Sequence, residues 1–177
     1  MDVATRALLR HFLAALAYRT QKALRGAPPG FGTFAAGHDV RTPAALVRHM
    51  TSVLAYARTH FVGGRSRPDP LPDLAAEIAR FHATVAELAA HLERGDPLLG
   101  ITPDQLLQGP FSDAMTHAGQ LALLRRLAGS PVAPEDFVEA AVSPDRLGPD
   151  QALPRAPDEI WREAPPDWLP PEADPLR

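Results

Sequence analysis

The placement of proline constrains this chain more than any other feature. A proline inside a helix removes a backbone donor and clashes with the preceding turn, so helices must fit between prolines. Of the 20 prolines in 177 residues, 11 fall in positions 131–177 and only nine in the 130 residues before them. Those nine sit mostly where helices would begin or end. The chain therefore divides into a helical body over 1–129 and a proline-rich C-terminal extension over 130–177. The extension carries both tryptophans, Trp161 and Trp168. It is expected to wrap the body as a strap on the same domain, with Trp161 as its anchor.

Four segments of the body carry helical periodicity. The first, Val3 to Leu24, places Leu8, Leu9, Phe12, Leu13, Leu16 and Ala17 on one stripe, with Asp2 as its cap. The second starts at Thr42-Pro43, an N-cap followed by proline at the first helical position. It carries Leu46, His49, Met50, Val53, Leu54 and Ala57 and ends near Gly63-Gly64. The third follows Pro72-Asp73 with Leu74, Ile78, Phe81, Val85, Leu88 and Leu92, and stops at Gly95. The fourth starts near Gly109-Pro110 and carries Ala114, His117, Leu121, Leu124 and Ala128, with Gly129 just past its end. A short helical turn from Thr102-Pro103 to Gln108 leads into it. No β-branched alternation persists over four residues, so the expected fold class is all-α, a four-helix bundle. The 16 residues from Gly26 to Arg41 are long enough to pass the whole length of a helix, so simple up-down order is not required.

Composition removes several functions at once. The chain has no cysteine, which excludes a disulfide framework, a thiolate metal site and a cysteine nucleophile. With Lys+Arg 18 against Asp+Glu 21 the formal charge is −3, so no nucleic-acid partner is expected. No apolar run approaches the ~18 residues that span a bilayer, so no membrane partner is expected either. The first residues lack a charged stretch followed by an apolar one, and a cytoplasmic protein is the expectation. There is no glycine-rich phosphate loop, no His-Glu-x-x-His and no Gly-x-Ser-x-Gly elbow.

The histidines remain. His49 and His117 both lie in apolar stripes, and Asp113 lies one helical turn before His117 on the same face. A carboxylate aimed into a bundle core is costly unless it is paired or binds a metal. Two imidazoles and a carboxylate from facing helices would satisfy each other around Zn²⁺, Ni²⁺ or Fe²⁺. The plainer alternatives stay open: a core histidine satisfied locally, and an aspartate favoured by the positive end of its helix. His82 borders the third stripe and is a candidate for substrate binding, as is Tyr56, two turns after His49. His60 is expected in solvent, His11 flanking the core, His38 in a loop and His91 at a helix end. Arg125 and Arg126 suit a helix C-terminus, with anion recognition as the alternative.

The stretch Gly109-Pro110-Phe111-Ser112-Asp113-Ala114-Met115-Thr116-His117-Ala118-Gly119-Gln120-Leu121, running on to Gly129, resembles the last bundle helix of DinB-like (YfiT-like) proteins. Thr42-Pro43-Ala44-Ala45-Leu46-Val47-Arg48-His49-Met50 is similar to their second helix. The resemblance spans roughly residues 1–150. It implies a divalent metal, Zn²⁺ or Ni²⁺ ahead of Fe²⁺, held by His49 and His117, with Asp113 where the family has a further histidine. That exchange leaves room for an empty or vestigial site. The resemblance further implies a homodimer and an enzyme that uses a low-molecular-weight thiol such as bacillithiol, mycothiol or glutathione for S-transfer or isomerisation. Hydrolysis by metal-activated water is the other chemistry open to such a site. A stress-related, non-catalytic dimeric bundle is the alternative to an enzyme.

Overall fold

The structure, a computed structural model, describes residues 1–154. The expectations for Trp161 and Trp168 fall outside that range. Among the described residues the protein is all-helical, with no strand, and a four-helix bundle fits it. The helices are α1 (Val3–Leu24), α2 (Pro43–Val62), α3 (Leu74–Arg94), the short α4 (Pro103–Leu106) and α5 (Ser112–Leu127).

Their ends follow from local chemistry. The side chains of Asp2, Thr42 and Asp73 accept hydrogen bonds from the amides of Thr5, Ala45 and Ala76, which starts α1, α2 and α3. Each such cap contributes about 1 kcal/mol. Gly95 closes α3 in the left-handed region (φ 73°), a conformation costly to a side chain. The start of the last helix is less simple than its proline suggested. Leu107–Phe111 forms a π turn, with Gly109 far from helical angles (φ −87°, ψ −105°), and regular α-helix begins only at Ser112. The Ser112 hydroxyl donates to the Leu107 carbonyl (2.8 Å), occupying one acceptor that the turn leaves free.

Each helix packs on two neighbours: α1 and α2 both touch α3 and α5, so α1 lies diagonally across from α2. Phe61 stacks on His91 (5.2 Å) and Arg58 pairs with Glu87, which joins the C-terminal halves of α2 and α3. These two helices are parallel. Arg10 reaches Glu93 (3.2 Å), so α1 runs against α3. Arg125 bonds the carbonyls that end α1, so α5 runs with α1. The order is up, down, down, up. The overhand passage along the bundle lies between α2 and α3, where residues 63–73 return from one end to the other. Eleven extended residues reach about 36 Å, enough to retrace a helix of about 30 Å. The longer first connection stays at one end, where its turn Phe31–Thr33 sits on the helix starts. A Cβ on Gly32 there would stand 2.9 Å from Leu74 Cβ, so only glycine lets the backbone approach so closely.

The core is drawn from the four stripes. Leu13, Leu16, Met50, Leu54, Phe81, Val85, Leu88, Phe111 and Leu121 are fully buried. Leu8, placed on the α1 stripe by spacing, is 61 % exposed instead, because that stripe centres on Leu9, Leu13 and Leu16. The described part of the extension lies against the bundle. Lys22 donates to the Ala133 carbonyl, Arg25 to those of Gln151 and Ala152, and Tyr18 to the buried carboxylate of Glu135.

Candidate metal centre

Three helical positions meet at the seam between α2 and α5. His49, in the second turn of α2, and Asp113 and His117, on successive turns of α5, each present a ligand atom, and these atoms all lie within 4.8 Å of one another. The antiparallel packing of α2 on α5 produces this meeting. The imidazole rings of His49 and His117 stand edge to face, their centroids 4.7 Å apart. Asp113 Oδ1 lies 3.3 Å from His117 Nε2. The three residues grade from surface to core: the Asp113 side chain is 50 % exposed, His49 is half-buried and His117 is buried. Asp113 therefore does not point into the core, as its register on the stripe suggested. It stands in the first turn of α5, at the rim.

The nitrogens of His117 differ in their surroundings. Nδ1 donates to Gln120 Oε1 (2.7 Å). Nε2 is buried and makes no hydrogen bond among the described residues; the Asp113 oxygen is close to it but out of line. A buried polar atom without a partner is costly in a core and calls for an explanation. A metal supplies one. Ligand atoms at 2.0–2.1 Å from a tetrahedral ion stand about 3.3 Å from each other, close to the Asp113–His117 separation. The set as a whole is looser than that, its three ligand atoms lying within 4.8 Å of one another. The His49 ring is held below its ordinary pKa by burial first, then by the positive Arg41 and by His117, with Asp113 acting the other way. It thus keeps a lone pair at neutral pH. The donor set, two imidazoles and one carboxylate, fits a divalent transition metal.

The other sequence candidates lie elsewhere. His82 is buried, with Nδ1 donating to the Leu147 carbonyl (2.7 Å) and Nε2 3.3 Å from Gln21 Oε1, so its ring ties the extension to α1 and α3. Tyr56 is exposed and its ring stands edge-on to His60 (5.0 Å), not to the three ligand residues. His60, expected in solvent, donates from Nδ1 to the Leu99 carbonyl (2.9 Å). His91 pairs with Asp96 (2.7 Å) at the end of α3. His38 adopts a left-handed conformation (φ 52°) in the first connection, and His11 is exposed. Arg125 caps a helix, as its position suggested, but the helix is chiefly α1. Its guanidinium donates to the carbonyls of Ala23, Arg25 and Gly26, and to Ser130.

Gln120 is the residue that reading for ligands passed over. The signal is in the spacing: a glutamine one turn beyond a histidine can meet its Nδ1, the nitrogen turned away from the cluster. Among the described residues no helix is long and apolar enough to cross a membrane. No family model, curated protein or solved structure matches this chain, so its chemistry has to be read from its own residues.

Proposed function

We propose that this chain is a DinB-like metal-dependent enzyme in which His49, Asp113 and His117 hold a divalent ion, Zn²⁺ or Ni²⁺ ahead of Fe²⁺. One observation carries the reading: a buried histidine nitrogen without a hydrogen-bond partner among the described residues, beside a carboxylate oxygen and a second imidazole from the facing helix. Bound there, such an ion would bring a thiol or water at its open position toward deprotonation at neutral pH. The chain contributes the rest. Burial and Arg41 keep the His49 ring neutral. Asp113 supplies one negative charge at the solvent side, where a small molecule would enter. With no cysteine in the chain, a sulfur nucleophile has to come from a low-molecular-weight thiol. S-transfer or isomerisation with such a thiol is the reaction class we favour, and hydrolysis by water is the other. The half-exposure of Asp113 favours one competing reading, a stress-related, non-catalytic bundle whose site is vestigial, since an acid in a first helical turn needs no metal.

The test begins with chelated protein, titrated with Zn²⁺, Ni²⁺ and Fe²⁺. One equivalent per chain, lost in His117→Ala, is the expected result, and no stoichiometric binding of any of them overturns the proposal. Loaded protein is then given an electrophile with each small thiol, and separately esters and amides. Turnover in the first set selects sulfur, and in the second, water. Turnover in neither selects the non-catalytic reading. The homodimer and the cytoplasmic location are part of the same proposal and rest on the family resemblance. Sedimentation tests the first and fractionation of cells the second.

A further inference from the structure

We infer that Gln120 is a positioning residue that fixes the tautomer of His117, holding the proton on Nδ1 and leaving Nε2 bare toward Asp113 and His49. In a free imidazole side chain the Nε2–H tautomer is the commoner one, which would put a proton where the cluster needs a lone pair. The partner of one ring nitrogen decides which nitrogen carries the proton. Here that partner is Gln120 Oε1, 2.7 Å from Nδ1. On the other side of the ring the pull is weaker: Asp113 Oδ1 stands 3.3 Å from Nε2 and its charge would favour a proton there, but among the described residues Nε2 makes no hydrogen bond, to Asp113 or to any other group. The arrangement is built into α5 alone, since residues three apart on a helix are neighbours. It therefore exists before any ligand arrives. The side chain of Gln120 is exposed, so its substitution does not touch the core.

The inference rests on the metal reading for only one of its two consequences. In metal-free protein with ¹⁵N-labelled histidine, at a pH above the histidine titrations, long-range proton–nitrogen spectra identify the tautomer of His117, assigned by its loss in His117→Gln. The wild type should show Nδ1–H with a bare Nε2. Gln120→Leu should shift the ring toward Nε2–H, and Gln120→Glu, which keeps an acceptor, should restore Nδ1–H. Zn²⁺ affinity should then fall about 10–100-fold in Gln120→Leu and hold in Gln120→Glu. An Nε2–H ring in the wild type, or a tautomer unmoved in Gln120→Leu, overturns the inference. If the tautomer responds as stated but the wild type binds no Zn²⁺, the metal reading fails and the positioning role stands.

Discussion

Two polar side chains on α5, eight residues apart, are both buried and could hardly be treated more differently. Arg125 makes five hydrogen bonds, to the carbonyls of Ala23, Arg25, Gly26 and Ser130 and to the Ser130 hydroxyl. His117 has one nitrogen satisfied and the other, among the described residues, left without a hydrogen-bond partner. The contrast separates a group that holds the fold from one held ready by it. A buried polar atom with every partner in place stabilises what it touches. One without a partner destabilises the fold unless something else binds there.

The contrast breaks first at Arg125. Arg125→Ala strips the end of α1 of its donors and leaves several part-buried carbonyls bare, and should cost about 3–5 kcal/mol in urea unfolding. Arg125→Lys should recover little of it, because a compact ammonium cannot span the fan of acceptors that the planar guanidinium reaches. A loss below about 1 kcal/mol for the alanine variant would mean that these bonds are replaceable by water.

His117→Leu should behave in the opposite way. Removing a half-satisfied imidazole for an apolar side chain of similar size should leave the stability of metal-free protein within about 1 kcal/mol of wild type. What it should abolish is stabilisation by the ion, which for wild type at a hundredfold excess over Kd amounts to about 2.7 kcal/mol. Thermal melts with and without Zn²⁺ check both halves. A large loss without metal would place His117 with Arg125, as part of the scaffold.

His82 stands between these two, and pH reads it. Burial is the larger influence and holds its imidazole below the ordinary pKa of 6.5, while the Leu147 carbonyl pushes the other way. The unfolded chain therefore binds the proton more readily than the folded one. Stability from the neutral ring is complete above pH 6.5 and is lost as pH falls below it, with a slope of at most about 1.4 kcal/mol per pH unit for one proton. His82→Gln should flatten that part of the pH profile. His49 is shifted in the same direction, so the profile of the His82 variant should retain a smaller slope.

What the sequence disclosed was what is local. Asp2, Thr42 and Asp73 announce three helix starts because a cap and its amide are three residues apart, and the structure places α1, α2 and α3 there. His49 and His117 were legible because each interrupts an apolar stripe. The far partners were not. Arg125 looked like the cap of its own helix, while most of its acceptors lie about a hundred positions earlier. His82 borders a stripe and invited a substrate role, because its acceptor, Leu147, is 65 residues away in the extension. The π turn before α5 also escaped, since Gly109-Pro110 reads equally well as a plain helix start. The parallel run of α2 and α3 depends on which ends pack together, and periodicity does not carry that.

The smallest expected effect sharpens the comparison from outside the core. Arg58 and Glu87 tie α2 to α3 with a short hydrogen bond, yet their side chains are 36 % and 46 % exposed. By geometry alone this pair is as well made as any contact of Arg125. It differs in what the alternative would be: if either partner is removed, water takes its place. A double-mutant cycle of Arg58→Ala and Glu87→Ala should therefore give a coupling of about 0.5 kcal/mol or less. That coupling should shrink further near 1 M salt, where the screening length falls to about 3 Å. A coupling above about 1 kcal/mol that persists in salt would show that geometry decides the energy. The expected result assigns that role to burial, which makes satisfaction valuable at Arg125 and its lack informative at His117.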